Sequence, residues 1–241
     1  MTRTLIIVPA YNEAGNIQNV VSDIHAHSTD YDILVVNDCS TDNTYELVRT
    51  IDKCNAIDLP INLGIGGAVQ TGFKYAFENG YDCAVQFDGD GQHNASELEN
   101  ILLPVKNDEA DVVIGSRFLN KEPNFRSSFA RRKGIFIFKI VNFLMTKQII
   151  TDNTSGFRAY NKKAIEFLSL NYPEDYPEPE SVVLLGRNGF RIKEISVNMK
   201  ERKQGNSSIH GLRIPYYMFK VLLSIMMTGM RRKISQKIRV K

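Results

Sequence analysis

The sequence predicts an open α/β fold, in which a mostly parallel sheet is flanked by helices. Short apolar runs alternate with longer stretches of helical apolar spacing over roughly the first 120 residues. This alternation is typical of parallel strands joined by right-handed crossovers. Acidic and glycine-rich motifs follow several of the apolar runs directly. Open sheets bind ligands at that edge, where strands end and loops begin.

Five segments are predicted to be strands. The run 4–9 is apolar and ends in Pro9, as expected of a strand buried on both faces. Segment 190–199 alternates apolar and polar residues, which is the pattern of a half-buried strand. The predicted strands are 4–9, 31–37, 83–87, 111–116 and 190–199.

Helices are predicted where apolar residues recur every three or four positions. Ser40 or Thr41 is expected to cap the second helix, and Gly80 to end the third. A glycine-rich turn is predicted at 62–67, and a loop at 171–180, which contains three prolines. The predicted helices are 12–27, 41–53, 68–79, 96–106, 133–150, 161–170 and 214–230.

The composition excludes several classes of protein. Apolar residues make up 43% and charged residues 24%, which is ordinary for a globular protein. The three cysteines form no CxxC pair, which argues against a disulfide scaffold or a zinc finger and indicates a reducing compartment. The N-terminus lacks the pattern of a signal peptide, so none is expected.

Basic charge is concentrated in two segments, although the net charge is only +3. Residues 200–241 contain eleven Lys or Arg and one acidic residue, and 126–151 contain six basic residues and no acidic one. Because apolar residues are interleaved with these charges, we expect amphipathic membrane-associating segments at 131–150 and 211–241. The helix 214–230 is expected to lie in the membrane interface rather than to span it. Nucleic-acid binding and a solvated basic helix face are the alternatives.

The motif QFDGDGQH (86–93) is the strongest candidate for a metal site. Asp88 and Asp90 follow a predicted buried strand, where unpaired carboxylates are costly unless a positive group is near. Mg²⁺ and Mn²⁺ prefer oxygen ligands and bridge to diphosphates, and Gln92 offers another oxygen. A surface turn is the alternative, since Asp and Gly are common turn residues. A zinc site using His93 is disfavoured because no cysteine is close in the sequence.

Two further motifs follow the first two strands. Tyr11 can stack on a base, and Asn12 or Glu13 can cap the following helix. Asp38 can accept hydrogen bonds from a ribose hydroxyl or a uracil N–H, although turn formation also explains such residues. The segment NLGIGGA (62–68) resembles a dinucleotide loop, but no strand is predicted before it and the final glycine is missing.

Five motifs together resemble family 2 glycosyltransferases, whose catalytic domain has the GT-A fold. They are PAYNE (9–13), VVNDCSTDNT (35–44), NLGIGGAVQTG (62–72), QFDGDGQH (86–93) and VVIGSRF (112–118), and the resemblance extends from residue 4 to about 210. Within this family the chain looks most like polyprenyl-phosphate sugar transferases of the dolichyl-phosphate mannose synthase type. The segments GSR (115–117), DNTSGFR (152–158) and RKQGNSS (202–208) carry that narrower resemblance.

The resemblance implies a role for each matching residue. Metal contacts are implied for Asp88, Asp90 and Gln92. Nucleotide-sugar contacts are assigned to Pro9, Tyr11, Glu13, Asp38, Gly66, Gln86, Asp88, Gly89, Asp90 and Arg202. Acceptor-phosphate contacts are assigned to Arg117, Arg131, Arg132 and Ser155. Catalytic roles are assigned to Asp90, Asp152 and Arg202, with Asp152 acting as a base, as an acceptor-orienting group or only as a turn cap.

The resemblance also implies an activity. An inverting, Mg²⁺- or Mn²⁺-dependent transferase would move a hexose from a nucleotide-diphosphate sugar, UDP-linked rather than GDP-linked, to a polyprenyl phosphate for cell-surface polysaccharide or glycan assembly. Residues 1–210 would form the catalytic domain, placed peripherally on the cytoplasmic face of the membrane, and a separate small protein would be a possible anchor. The main alternative is a family 2 enzyme that elongates a glycan hydroxyl. A nucleotidyltransferase is disfavoured because PAYNE contains no Lys or Arg.

Overall fold

The structure is a computed structural model that describes residues 2–27, 30–119, 140–200 and 213–234, with side chains in the last range described from Phe219 onward. Several sequence predictions fall outside these ranges. Arg131, Arg132, Arg202 and residues 133–139 of the predicted interface helix are among them.

Within the described residues, seven strands form one sheet, in the order β3-β2-β1-β4-β6-β5-β7. β6 is antiparallel to both β4 and β5, and all other pairs are parallel. This arrangement confirms the predicted open, mostly parallel sheet. The strands are β1 (Thr4–Ala10), β2 (Asp32–Asn37), β3 (Cys54–Asp58), β4 (Cys83–Gln86), β5 (Val112–Ser116), β6 (Arg158–Asn161) and β7 (Ile192–Ser196).

Helices cover both faces of the sheet. A 3-10 turn at Ala95–Glu97 leads into α4, and α5 is the helical stretch 140–146. The other helices are α1 (Ile17–His27), α2 (Thr44–Val48), α3 (Gly64–Glu78), α4 (Leu98–Lys106), α6 (Lys162–Asn171), α7 (Pro177–Arg187) and α8 (Arg213–Met230).

The two faces of β1 belong to two separate apolar clusters. Ile6 and Val8 pack with α1 and α4, whereas Leu5 and Ile7 pack with α3 and α6. Successive side chains of a strand point to opposite faces, so a strand between two helical layers must be apolar throughout. The helices thus cover the faces of the sheet and leave the carboxyl ends of its strands for the loops that carry the motifs.

Two strands were not predicted, because neither has the apolar pattern of a core strand. β3 (CNAID) is only half-buried at the edge of the sheet. β6 (RAYN) begins with an arginine, although Arg158 is fully buried.

The prediction of a loop over 171–180 is wrong in its second half. α7 begins at Pro177, and Pro179 also lies in its first turn. Proline is tolerated there because the first N–H groups of a helix have no intrahelical partner.

Three helix starts also differ from the prediction. Gly64 begins α3, so the glycine-rich segment belongs mostly to the helix, and β3 does precede it. α1 begins at Ile17 rather than at residue 12. α2 is preceded by Asn43, so neither Ser40 nor Thr41 is its N-cap.

The C-terminal helix packs on α7 rather than on the sheet. Val221 and Ile225 of α8 form a small apolar cluster with Val183, against which Met145 of α5 packs. Among the helices in the described ranges, none has both the length and the apolar character that crossing a bilayer requires.

Candidate active site

The carboxyl ends of β1, β2 and β4 open into a cavity of about 480 Å³. β1 lies between the other two strands, so the loops after all three meet at one edge of the sheet. The cavity is lined by Pro9, Ala10, Tyr11, Glu13, Asp38, Asn62, Gly64, Ile65, Ala68, Asp88, Gly89 and Asp90. Seven of the ten residues predicted to contact the nucleotide sugar are therefore brought together here.

Hydrogen bonds connect the loops after β1 and β2. Asn12 adopts a left-handed backbone conformation (φ 55°), which asparagine tolerates better than most residues. Its Oδ1 accepts a hydrogen bond from the Thr41 N–H (2.8 Å), and the Glu13 N–H donates to Thr44 Oγ1 (2.9 Å). Tyr11 is thereby held on the rim of the cavity with its side chain about half exposed. An exposed ring on a fixed loop is suited to stacking on a base.

Asp38 lies in the wall of the cavity and is almost fully buried. Its Oδ1 accepts a hydrogen bond from the Leu63 N–H (2.7 Å), and its own N–H donates to the Ala10 carbonyl (2.9 Å). These bonds fix the orientation of the carboxylate, which can then accept hydrogen bonds from a ligand.

The carboxylate of Asp88 is enclosed on three sides. Its Oδ2 lies 3.1 Å from His93 Nε2, and Gln86 Nε2 lies 3.5 Å from its Oδ1. A Cβ at Gly156 would come within 2.5 Å of Oδ2, so only glycine leaves room for the carboxylate. Burial alone would raise the pKa of Asp88, but His93, the Gln86 amide and the Arg158 guanidinium together hold it below its ordinary value. The group is therefore ionised at neutral pH.

The donor set suits a divalent cation shared with a substrate. Asp90 borders the same cavity as Asp88, and its Oδ1 accepts a hydrogen bond from the Gln92 N–H (3.0 Å). In the part of the chain that the structure describes, no group of three or more His, Cys, Asp or Glu side chains is arranged to hold a metal. Two carboxylates completed by substrate phosphates are, however, a common way of binding Mg²⁺. The residues present thus fit such an ion.

Three other predicted site residues do not line this cavity. Gln86 is fully buried, and its Oε1 accepts a hydrogen bond from the Tyr172 hydroxyl (3.2 Å). Gly66 faces the backbone of the loop after α6, where a Cβ would lie 2.6 Å from the Pro173 oxygen. Gln92 contacts Asp90 through its backbone N–H, which donates to the Asp90 carboxylate. A direct contact of these three residues with a ligand stays a prediction.

Arg117 and Asp152, assigned to the acceptor phosphate and to catalysis, bind each other. The guanidinium donates from Nε to Oδ2 and from Nη2 to Oδ1, both at 2.8 Å. Asp152 is fully buried, which would raise its pKa, but the Arg117 charge and hydrogen bonds lower it. Ser155, also assigned to the acceptor phosphate, is buried and its hydroxyl donates to the Gly115 carbonyl (2.7 Å).

A polar group that was not predicted from the sequence lies beneath Asp88. Arg158 is fully buried and donates to the Ser155 and Asn153 carbonyls and to Ser181 Oγ, at 2.7–2.8 Å. Glu178, in the first turn of α7, interacts with Gln86, and burial raises its pKa, with Asp88 acting in the same direction. The only signal in the sequence was an unexplained acidic segment, 176–180, and Glu178 is 92 residues away from Gln86.

The comparison with known families is decisive. The family model described as Glycosyl transferase family 2 matches residues 5–168. The chain belongs to this family.

Two curated relatives extend the similarity beyond the matched region. The chain is 33% identical over 210 residues to UDP-N-acetylglucosamine–dolichyl-phosphate N-acetylglucosaminyltransferase of Methanococcus voltae, covering 80% of this chain and 83% of that protein. It is 31% identical over 242 residues to polyprenol monophosphomannose synthase of Mycolicibacterium smegmatis, covering 91% and 85%. The predicted similarity to polyprenyl-phosphate sugar transferases is therefore confirmed.

A solved structure shares the fold. Glucosyl-3-phosphoglycerate synthase from Mycobacterium tuberculosis, in complex with Mn²⁺, UDP-glucose and phosphoglyceric acid, superimposes with a TM-score of 0.69 at 15% identity, covering 95% of this chain and 80% of that one. This likeness confirms the predicted GT-A-like architecture of this family 2 glycosyltransferase.

Proposed function

We propose that this protein transfers a hexose, with inversion, from a nucleotide-diphosphate sugar to a polyprenyl phosphate. The observation that carries the proposal is the position of Asp88. It borders the cavity lined by Tyr11 and Asp38, and its charge also acts on the Arg117 guanidinium, whose pKa is raised mainly by Asp152 and less by Asp88. The Asp88 carboxylate thus borders the proposed site for the donor diphosphate and also interacts with the Arg117 guanidinium, which is suited to a second phosphate group.

The cavity residues would bind the donor. Tyr11 would stack on the base, and Asp38 would accept hydrogen bonds from the ribose or the base. Gly89 lines the same cavity, and a Cβ there would lie 3.0 Å from the Pro9 carbonyl oxygen, so glycine lets the loops after β1 and β4 approach closely. We propose a UDP-sugar rather than a GDP-sugar, which the name of the Methanococcus relative supports.

Asp88 and Asp90 would hold the divalent cation, Mg²⁺ or Mn²⁺. When bound, the cation supplies a Lewis acid that neutralises the charge developing on the leaving nucleoside diphosphate. The fixed carboxylates contribute by orientation, since preorganised charges need not rearrange during the reaction. Arg202 and Gln92 remain proposed partners of the same diphosphate or metal.

The acceptor side would need no strong general base. A phosphate oxygen is already anionic at neutral pH, whereas a hydroxyl acceptor must lose a proton. The Nε and Nη2 atoms of Arg117 bind Asp152 and Thr154, so Nη1 would donate to the phosphate, and Arg131 and Arg132 are proposed to assist it. Asp152 would orient Arg117, because its carboxylate is already engaged by that guanidinium.

The lipid acceptor requires the site to be near a membrane. α5 and α8 expose apolar side chains, which we call the α5–α8 apolar surface: Ile140, Phe143, Leu144, Phe219, Leu223, Met226, Met227 and Met230. Exposed Arg231, Arg232 and Lys233 follow directly. Apolar residues beside basic ones favour an anionic lipid surface. We propose peripheral binding to the cytoplasmic face, with or without a separate anchor protein, in cell-surface polysaccharide or glycan assembly.

The deciding experiment measures nucleotide release from a panel of UDP- and GDP-sugars, with polyprenyl phosphate, with an oligosaccharide acceptor, or with neither. We expect release to require polyprenyl phosphate and Mg²⁺ or Mn²⁺, and the product to have inverted anomeric configuration. Transfer to the oligosaccharide but not to the lipid would replace the proposal with the elongating alternative. Metal-independent transfer at an unchanged rate would refute the role of the two carboxylates.

A further inference from the structure

His93 occupies an aromatic slot beside the metal-site loop. Its ring stacks on Phe157, with centroids 4.9 Å apart and planes at 19°, and meets Phe87 edge-on at 5.3 Å. The side chain is only 4% exposed, and neither Nδ1 nor Nε2 has a hydrogen-bond partner among the described residues. An apolar ring would fill this slot without the cost of burying two polar nitrogen atoms. The imidazole therefore calls for an explanation other than packing.

Its Nε2 atom supplies that explanation. Nε2 lies 3.1 Å from Oδ2 of Asp88, while Gln86 approaches Oδ1 and Gly156 leaves room beside Oδ2. Gln86 is fixed in turn by the Tyr172 hydroxyl. The carboxylate is thus confined on both oxygens before any ligand arrives. Of its two approaching side-chain nitrogens, His93 is the closer by 0.4 Å.

We propose that His93 is a positioning residue that orients the Asp88 carboxylate for a divalent cation. This inference rests on the metal site assigned above. A ring with its proton on Nε2 would donate to Oδ2 once the two groups are aligned, and would leave the other lone pairs of the carboxylate for the ion. Partners of this kind, which orient a metal ligand without touching the metal, typically contribute about 10- to 100-fold to metal affinity.

Two substitutions separate orientation from packing. His93→Phe keeps an aromatic ring between Phe87 and Phe157 but removes the donor. His93→Gln restores an N–H at about the position of Nε2 while losing the stacked ring. If His93 served only to fill the slot, the Phe variant would be the better substitute. If His93 orients Asp88, the Gln variant would be the better substitute.

The measurement is the dissociation constant of Mn²⁺ in the presence of UDP, followed by electron paramagnetic resonance on the full chain. We expect His93→Phe to weaken Mn²⁺ binding by about 10- to 100-fold, and His93→Gln to weaken it less. The melting temperature of the metal-free Phe variant should stay near that of the wild type. His93→Leu provides a second donor-free variant if the Phe variant does not fold.

The outcomes distinguish the positioning role of His93 from the metal site on which that role depends. Wild-type affinity for Mn²⁺ in His93→Phe would overturn the positioning role and leave the metal site intact. Wild-type affinity for Mn²⁺ in an Asp90→Asn variant would overturn the metal site itself, and the role of His93 with it. A Gln variant weaker than the Phe variant would show that packing, not donation, is what His93 provides.

Discussion

Asp152 holds Arg117 through two parallel hydrogen bonds of 2.8 Å and accepts a third, at 3.0 Å, from the Arg117 backbone N–H. Asp152 is itself fixed from behind, because its own N–H donates to Glu194 (2.6 Å). The carboxylate is fully buried, whereas a quarter of the Arg117 side chain is exposed. The pair therefore presents a guanidinium, and not a carboxylate, towards the surface. This geometry favours an orienting role for Asp152 over that of a base.

Asp152→Asn should destabilise the fold and impair use of the acceptor. The substitution leaves a partly buried guanidinium without its charged acceptor, and a lost hydrogen bond to a charged group costs about 1.5–3 kcal/mol. We expect a lower free energy of unfolding in urea. Relative to the wild type, the KM for polyprenyl phosphate should rise more than the KM for the sugar nucleotide. Asp108→Asn, which breaks the exposed pair with Arg191, is the matched control and should cost under about 1 kcal/mol. Equal costs at the two sites would contradict the structural role.

Asp90→Asn should lower kcat about 100- to 1,000-fold. This loss corresponds to a few kcal/mol of transition-state stabilisation. The fold should survive, because the asparagine oxygen can still accept the Gln92 N–H. Steady-state kinetics with saturating Mn²⁺ tests the expectation. Asp175→Asn, at an exposed position, controls for the loss of one negative charge. Activity of the Asp90 variant within a few-fold of wild type would exclude a metal role for this carboxylate.

Gly156→Ala should impair metal binding more than stability. The added methyl group would lie 2.5 Å from Asp88 Oδ2, so the carboxylate must leave its position. Gly72→Ala is a useful contrast, because its methyl group would lie 2.2 Å from a side-chain carbon of Ile7 in the core. We expect the Gly72 variant to lower the melting temperature by overpacking, which costs about 1–3 kcal/mol, and the Gly156 variant to lower Mn²⁺ affinity. The same pattern in both variants would argue against a specific effect on Asp88.

Glu178→Gln should change how stability depends on pH. Burial and the Asp88 charge raise the pKa of Glu178 above its ordinary value of 4.5. Its protonated form therefore stabilises the fold below that value, and this contribution is lost as the pH rises through the folded-state pKa. The wild type should lose stability relative to the Gln variant from about pH 4.5 upwards, measured by urea denaturation at several pH values. The exposed Glu174→Gln variant controls for net charge, and a pH-independent difference for Glu178→Gln would contradict the burial argument.

Met226→Asp/Met227→Asp should reduce binding to anionic vesicles. Both methionines are about half exposed on the α5–α8 apolar surface. Burying a methionine side chain is worth about 1.5–3 kcal/mol, so losing two of them should weaken partitioning at least about tenfold. Phe77→Asp/Leu103→Asp changes two similarly exposed apolar residues on α3 and α4, and should leave vesicle sedimentation unchanged. If both double variants bind alike, the membrane-facing surface has been placed on the wrong helices.

Local pattern was sufficient to predict which residues line the cavity at the carboxyl ends of β1, β2 and β4. Pro9, Asp38 and Asp88 each follow an apolar run, and parallel strands bring such positions to one edge of a sheet. The spacing of apolar residues predicts where each strand ends, because this spacing depends only on residues that are near in the sequence. The same reasoning missed β3 and β6, whose few residues are too polar to resemble core strands.

The partners of the site residues were decided only by the tertiary structure. Arg117 and Asp152 are 35 residues apart, and His93 meets Phe157 across 64 residues. No periodicity relates such pairs, because their contact depends on how β4, β6 and the loop after β5 are packed together. The sequence by itself determined which edge of the sheet carries the polar motifs and which carboxylates stand there. Folding decided which of those side chains remain available to a ligand, because burial and long-range hydrogen bonds engage Asp152, Ser155 and Gln86 within the protein.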